Sequence, residues 1–145
     1  MQLAKEVGDE LLIGKILVDR ARCDAMLGNR DAVIDQCKRA CDILEVPVPD
    51  PSRVDCLEDA LLVWVHTLLD EEKRTGELDA LFRRMDLHIK DRSSLNYGRL
   101  LLKKVVYALI DVESFDDKAE GEPLLQMIQE AVTILQSYDV LREQW

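Results

Sequence analysis

Apolar residues recur along this chain at steps of three and four, the period of a helix with one face turned inward, and the pattern stops and restarts about six times. The first long stripe holds Leu12, Ile13, Ile16, Leu17, Ala21 and Met26. Leu27-Gly28-Asn29 ends it, with glycine in the position just past a helix end. Asn29 or Asp31 caps a second helix, whose stripe of Val33, Cys37, Ala40, Cys41 and Leu44 is rich in small residues that let two backbones approach closely. The two predict a helical hairpin over about 11–45.

The next break is VPVPDPS, where prolines forbid helix and set extended or turn geometry. Asp50 and Pro51 read as N-cap and first residue of a helix carrying Val54, Leu57, Leu61, Trp64, Val65, Leu68 and Leu69, a stripe wide enough for a buried element. Thr75-Gly76 is expected to end it. A shorter helix follows through Leu78, Leu81, Phe82, Met85 and Ile89, and Asp91-Arg92-Ser93-Ser94 supplies both a stop and the next N-cap. This predicts a second hairpin over about 51–90. The fifth helix carries Tyr97, Leu101, Val105, Ala108, Leu109 and Val112, with Leu100, Leu102, Val106 and Ile110 on its outer side. A polar loop is expected over 113–121. Glu122-Pro123 then restarts the chain as a last helix with Leu124, Met127, Ile128, Ala131, Leu135 and Tyr138 on one face, closing a third hairpin over about 94–142.

Composition agrees with an all-α domain and adds charge. The 145 residues are 48% hydrophobic with few aromatics, glycines or prolines, a balance that excludes a disordered polyelectrolyte and disfavours a β-sandwich. The net charge of −10 is spread along the chain, so phosphate backbones and anionic lipid surfaces are repelled: nucleic acid and membranes are not expected partners. No apolar run is long enough to span a bilayer, and MQLAKEVGDE lacks the order of a signal peptide. Cys23, Cys37, Cys41 and Cys56 sit inside apolar stretches, as reduced cysteines of an intracellular, cytoplasmic protein do. Leu141, Trp145 and the opening LAKEVGD continue apolar helical sequence to both ends. The chain therefore reads as a segment of a larger protein, with self-association through its terminal helices an open expectation.

Catalytic and cofactor chemistry find little support. His66 and His88 are the two histidines, 22 residues apart on different expected helices and in no HExxH motif, and His66 reads as a partly buried, hydrogen-bonded side chain. Cys37 and Cys41 stand one turn apart, with Cys23 opposite across the hairpin, a spacing that places two thiolates on one metal. They share their stripe with Val33, Ala40 and Leu44, so core packing is the simpler reading. There is no phosphate-binding glycine loop and no nucleophile signature, and Asp70-Glu71-Glu72 and Asp116-Asp117 read as solvated ends. No catalytic, cofactor or metal residue is assigned, and the chain is not expected to be an enzyme.

Ala21, Leu27, Gly28, Val33, Cys37 and Ala40 fall close to the pattern of a tetratricopeptide repeat, and residues 1–45 resemble that family most clearly. Arg20 and Asp24 depart from it, standing where the family prefers Leu and an aromatic, and Val33 replaces the usual Ala. The first stretch is also similar to longer-period repeats of multidomain regulators. Beyond it the pattern degenerates: Leu69, Leu81 and His88 stand where small residues are preferred, and Gly28 and Gly76 are farther apart than the family period of about 34 residues.

The resemblance implies three stacked antiparallel hairpins in one superhelical domain over 1–145, with the first helices lining a concave face. In that register Lys15, Val18, Arg22, Ala25 and Met26 point into the groove. Lys15 and Arg22 would hold a partner carboxylate there, Arg22 bidentately, while Val18 and Met26 give apolar contact. The alternative for both cations is that they only solubilise the helix. The expected function is a non-catalytic scaffold that binds a peptide, helix or neighbouring domain. The competing expectation is a regulatory module that senses a small ligand and relays it to an effector domain.

Overall fold

The computed structural model describes residues 9–45, 51–73, 75–110 and 118–138, and all its regular elements are helices. They are α1 (Asp9–Leu27), α2 (Arg30–Leu44), α3 (Pro51–Leu69), α4 (Gly76–His88), α5 (Leu95–Leu109) and α6 (Lys118–Ser137). The chain divides into two compact units, Met1–Asp70 and Glu71–Trp145. The first holds α1 to α3 and the second α4 to α6, so the hairpin expected over 51–90 has one helix in each. None of these helices is long and apolar enough to cross a membrane.

In the first unit α1 and α2 form the expected hairpin. Gly28 has φ of +79°, the left-handed conformation that glycine adopts without steric cost, and it turns the chain after Leu27. Asn29 occupies the N-cap position of α2, but its side chain does not cap. It donates to Asp24 Oδ1 at 3.2 Å instead, and Gln36 Nε2 donates to Asp24 Oδ2 at 2.8 Å. The acid that departs from the repeat pattern thus ties the end of α1 to the second turn of α2. At the far end of the hairpin Gly14 lies against Leu44, so the two helices run antiparallel.

The inward face of α2 is the expected one: Val33, Cys37, Ala40, Cys41 and Leu44 are all essentially inaccessible. The inward face of α1 is not. Ile13, Leu17, Val18 and Ala21 are buried, whereas Leu12, Ile16 and Met26, expected in the core, are 52%, 43% and 88% exposed. Leu12-Ile13 and Ile16-Leu17 are adjacent apolar pairs, so periodicity alone allows either member to face inward. The close crossing at Gly14 turns the Ile13/Leu17/Ala21 side toward α2.

Helix α3 packs on both α1 and α2. Arg53 binds it to each: its Nη2 donates to Glu10 of α1, and to the carbonyl of Ile43 at 3.5 Å. Further along, Lys38 of α2 places Nζ 5.8 Å from the Trp64 ring centre. Leu57, Leu61, Val65 and Leu68 are buried as the stripe predicts.

Thr75 and Gly76 do not end α3, which stops at Leu69. Thr75 is the N-cap of α4, its hydroxyl accepting from Leu78 N–H at 3.1 Å. Ser94 caps α5 in the same way through Tyr97 N–H. Asp91 accepts from the backbone and hydroxyl of Ser93, which hold its carboxyl below the ordinary carboxylate value. Tyr107 of α5 stacks at 5.1 Å on Phe82 of α4 and donates to Asp79 at 2.5 Å, and Lys104 pairs with Asp86 at 2.7 Å.

Helices α5 and α6 meet where Gly98 lies against Ile134, and Leu101, Ala131 and Ile134 form the contact, with Met127 and Leu102 packed beside them. Leu100, expected on the outer side of α5, is fully buried, while Leu109 is 41% exposed. On α6, Ile128 and Tyr138 are exposed, and Ile134 takes the inward position. Helix α6 starts at Lys118, so Pro123 lies inside it and not at its head. The Asp50 cap, residues 113–117 of the expected loop, Val112, Asp116, Asp117, Leu141, Trp145 and all but the last residue of the opening LAKEVGD lie outside the described residues.

Candidate functional site

The first unit contains a cleft of about 310 Å³ between α1 and α3. Lys15, Val18, Asp19 and Arg22 form one wall and Ser52, Asp55, Cys56 and Asp59 the other. Each set follows the same spacing, first residue, then three, four and seven positions on, which lays four side chains along one face of a helix. The contacts Glu10–Arg53 and Arg22–Asp59 advance in the same sense on both helices, so α1 and α3 run in the same direction.

Three of the five residues expected in a groove therefore meet there. Lys15 and Arg22 stand on the α1 wall, and Val18, 2% exposed, is its apolar floor instead of an exposed contact. Ala25 and Met26 are exposed and are not part of the cleft. The opposite wall, Ser52, Asp55, Cys56 and Asp59, was not expected. Its spacing is the only sign of it in the sequence, and three of its four residues are polar enough to read as an ordinary solvated face.

The guanidinium of Arg22 is already engaged. Nη1 lies 3.3 Å from Asp19 Oδ1 and Nη2 3.5 Å from Asp59 Oδ2, so both arms of the fork meet carboxylates of this chain and not of a partner. Lys15 and Asp55 make no ion pair among the described residues. The cleft thus carries three carboxylates against two cations, with Asp55 the uncommitted acid.

At the base of the cleft Cys56 is 6% exposed. Burial, and then the charge of Asp59, push its thiol up to about 11, against smaller opposing effects of Lys15 and Arg22. Cys37 is pushed up to about 12 by burial and by Cys41, with Arg22 opposing. Neither is a thiolate at neutral pH, so neither is an activated nucleophile. None of the four cysteines forms a disulfide, and Cys23, expected in an apolar interior, is exposed. His66, expected to be partly buried, is also exposed. Among the described residues no group of three His, Cys, Asp or Glu side chains is placed to hold a metal ion. No family model, curated protein or solved structure matches the chain.

Proposed function

We propose that this chain is a tetratricopeptide-like helical-repeat module and that its first unit is a non-catalytic scaffold, receiving a peptide or protein segment in the cleft between α1 and α3. The observation that carries the reading is the construction of that cleft: two helices, each the first of an expected hairpin, run in the same direction and present four side chains at identical spacing. An antiparallel α1/α2 pair followed by an α3 that packs on both is the arrangement a stack of hairpins requires.

The cleft volume lies at the small end of the range for small-molecule sites, roughly 300–1,000 Å³, which keeps a ligand-sensing role as the second reading. Thermal melting of the chain separates the two. On the scaffold reading, a random peptide library yields segments that raise the melting temperature while a panel of metabolites does not, and Lys15→Glu alters peptide affinity without altering the melting temperature of the free chain. Stabilisation by a metabolite with no peptide effect would establish the sensor instead.

A further inference from the structure

The cleft charges and the uncovered side of α1 together identify the kind of segment that fits. Leu12, Ile16, Cys23 and Leu27 follow one another at steps of four, seven and four, which aligns them in a single stripe on α1. All are exposed: Leu12 at 52%, Ile16 at 43%, Leu27 at 74%, and Cys23 with them. Exposed apolar residues scattered singly are ordinary, but a line of them along one helix marks a contact face. Asp19 lies one turn from Ile16 and Cys23 and two turns from Leu12, in the gap that the step of seven leaves, so the stripe and the charged cleft wall adjoin on the same helix.

The charges of the cleft select the occupant. A partner carboxylate would find Arg22 occupied and Lys15 alone set against Asp19, Asp55 and Asp59. A partner Lys or Arg would meet Asp55, which is exposed and makes no ion pair among the described residues. A second copy of this chain would set one net charge of −10 against another.

We propose that the α1 face of the first unit binds an amphipathic helical segment of another protein, whose apolar side chains, spaced three and four apart, cover Leu12, Ile16, Cys23 and Leu27 while a basic residue on its flank enters the cleft toward Asp55. The proposal rests on reading the cleft as a partner groove and specifies the chemistry of that partner.

Selection of random 16-residue peptides displayed on phage, followed by fluorescence anisotropy of synthetic copies, tests it. The enriched peptides are expected to combine Lys or Arg with apolar residues three and four apart. Ile16→Asp and Asp55→Lys should each weaken their binding at least about tenfold, a change of about 1.4 kcal/mol, with unchanged circular dichroism. Enrichment of acidic peptides whose binding Lys15→Glu abolishes would overturn the basic-segment assignment and leave the groove reading intact. Basic peptides insensitive to Ile16→Asp and Asp55→Lys would overturn the placement. Absence of any binder would overturn both the proposal and the groove. A dimer in sedimentation that Ile16→Asp dissolves, with no peptide bound, would assign the face to a second copy.

Discussion

Gly14 and Leu44 meet so closely where α1 crosses the end of α2 that a Cβ at position 14 would lie 2.7 Å from Leu44 Cδ2 and 2.8 Å from its Cγ. The crowding reaches the branch point of the leucine, so rotation of a methyl does not relieve it. Gly14→Ala gains about 1 kcal/mol of helix propensity but incurs an overpacking cost of about 1–3 kcal/mol. The expected result is a net loss of roughly 1 kcal/mol in urea denaturation. Leu44→Ala in the same chain should relieve the clash, so the double variant is less destabilised than the sum of the two single losses. Additive losses would show that α1 does not approach α2 at this point.

Asp24 accepts from Asn29 and from Gln36, and Gln36 is only 8% exposed. Asp24→Ala leaves the buried amide of Gln36 without this acceptor and should cost roughly 1–3 kcal/mol. Asp24→Asn keeps one acceptor oxygen and should fall between wild type and Asp24→Ala. Thermal melting of the three proteins checks the order.

Much of this fold is readable in the residues, and the exceptions have physical causes. The apolar positions of α2 lie on one face only, and all five expected core residues are buried. Helix α1 carries apolar residues on two opposite sides, so its period marks a helix without saying which side packs; that depends on Gly14 finding Leu44 across the turn. Pro123 misleads for a related reason. Proline commonly begins a helix, but here it lies in the second turn of α6, after residues whose polar character reads as loop. On the α1 wall the repeat register picks out Lys15, Val18 and Arg22 but passes over Asp19 and adds Ala25 and Met26, which lie outside the cleft. The α3 wall was not legible, because local sequence does not reveal which helix lies beside Ser52, Asp55 and Asp59.

The buried thiols make stability depend on alkaline pH. Their folded-state values, about 12 for Cys37 and about 11 for Cys56, stand above the ordinary 9.0, so the folded chain keeps protons that the unfolded chain releases. The stabilisation from this difference is complete below about pH 9 and is lost as pH rises toward 11 and 12. The urea midpoint should fall across this range, and less steeply in a Cys37→Ala/Cys56→Ala variant, whose remaining slope reports the other titrating groups. At neutral pH, the exposed Cys23 should react with a thiol reagent well before the other three cysteines.

In the second unit Tyr107 holds α5 to α4 by its ring against Phe82 and its hydroxyl to Asp79. Tyr107→Phe should cost about 1 kcal/mol by removing the hydrogen bond alone. Tyr107→Ala should cost about 3 kcal/mol or more, because the ring contact is lost as well. Equal losses in the two variants would show that the aromatic contact contributes nothing.

The common direction of α1 and α3 gives their cleft a polarity. Both helix axes point the same way, and Lys15 stands toward the start of α1 and the Arg22–Asp59 pair toward its finish. On the proposed peptide reading, a docked segment has an N-to-C orientation to satisfy as well as a composition. On that reading a retro-peptide of identical composition presents its charges in the wrong order and is expected to bind less well than the forward sequence.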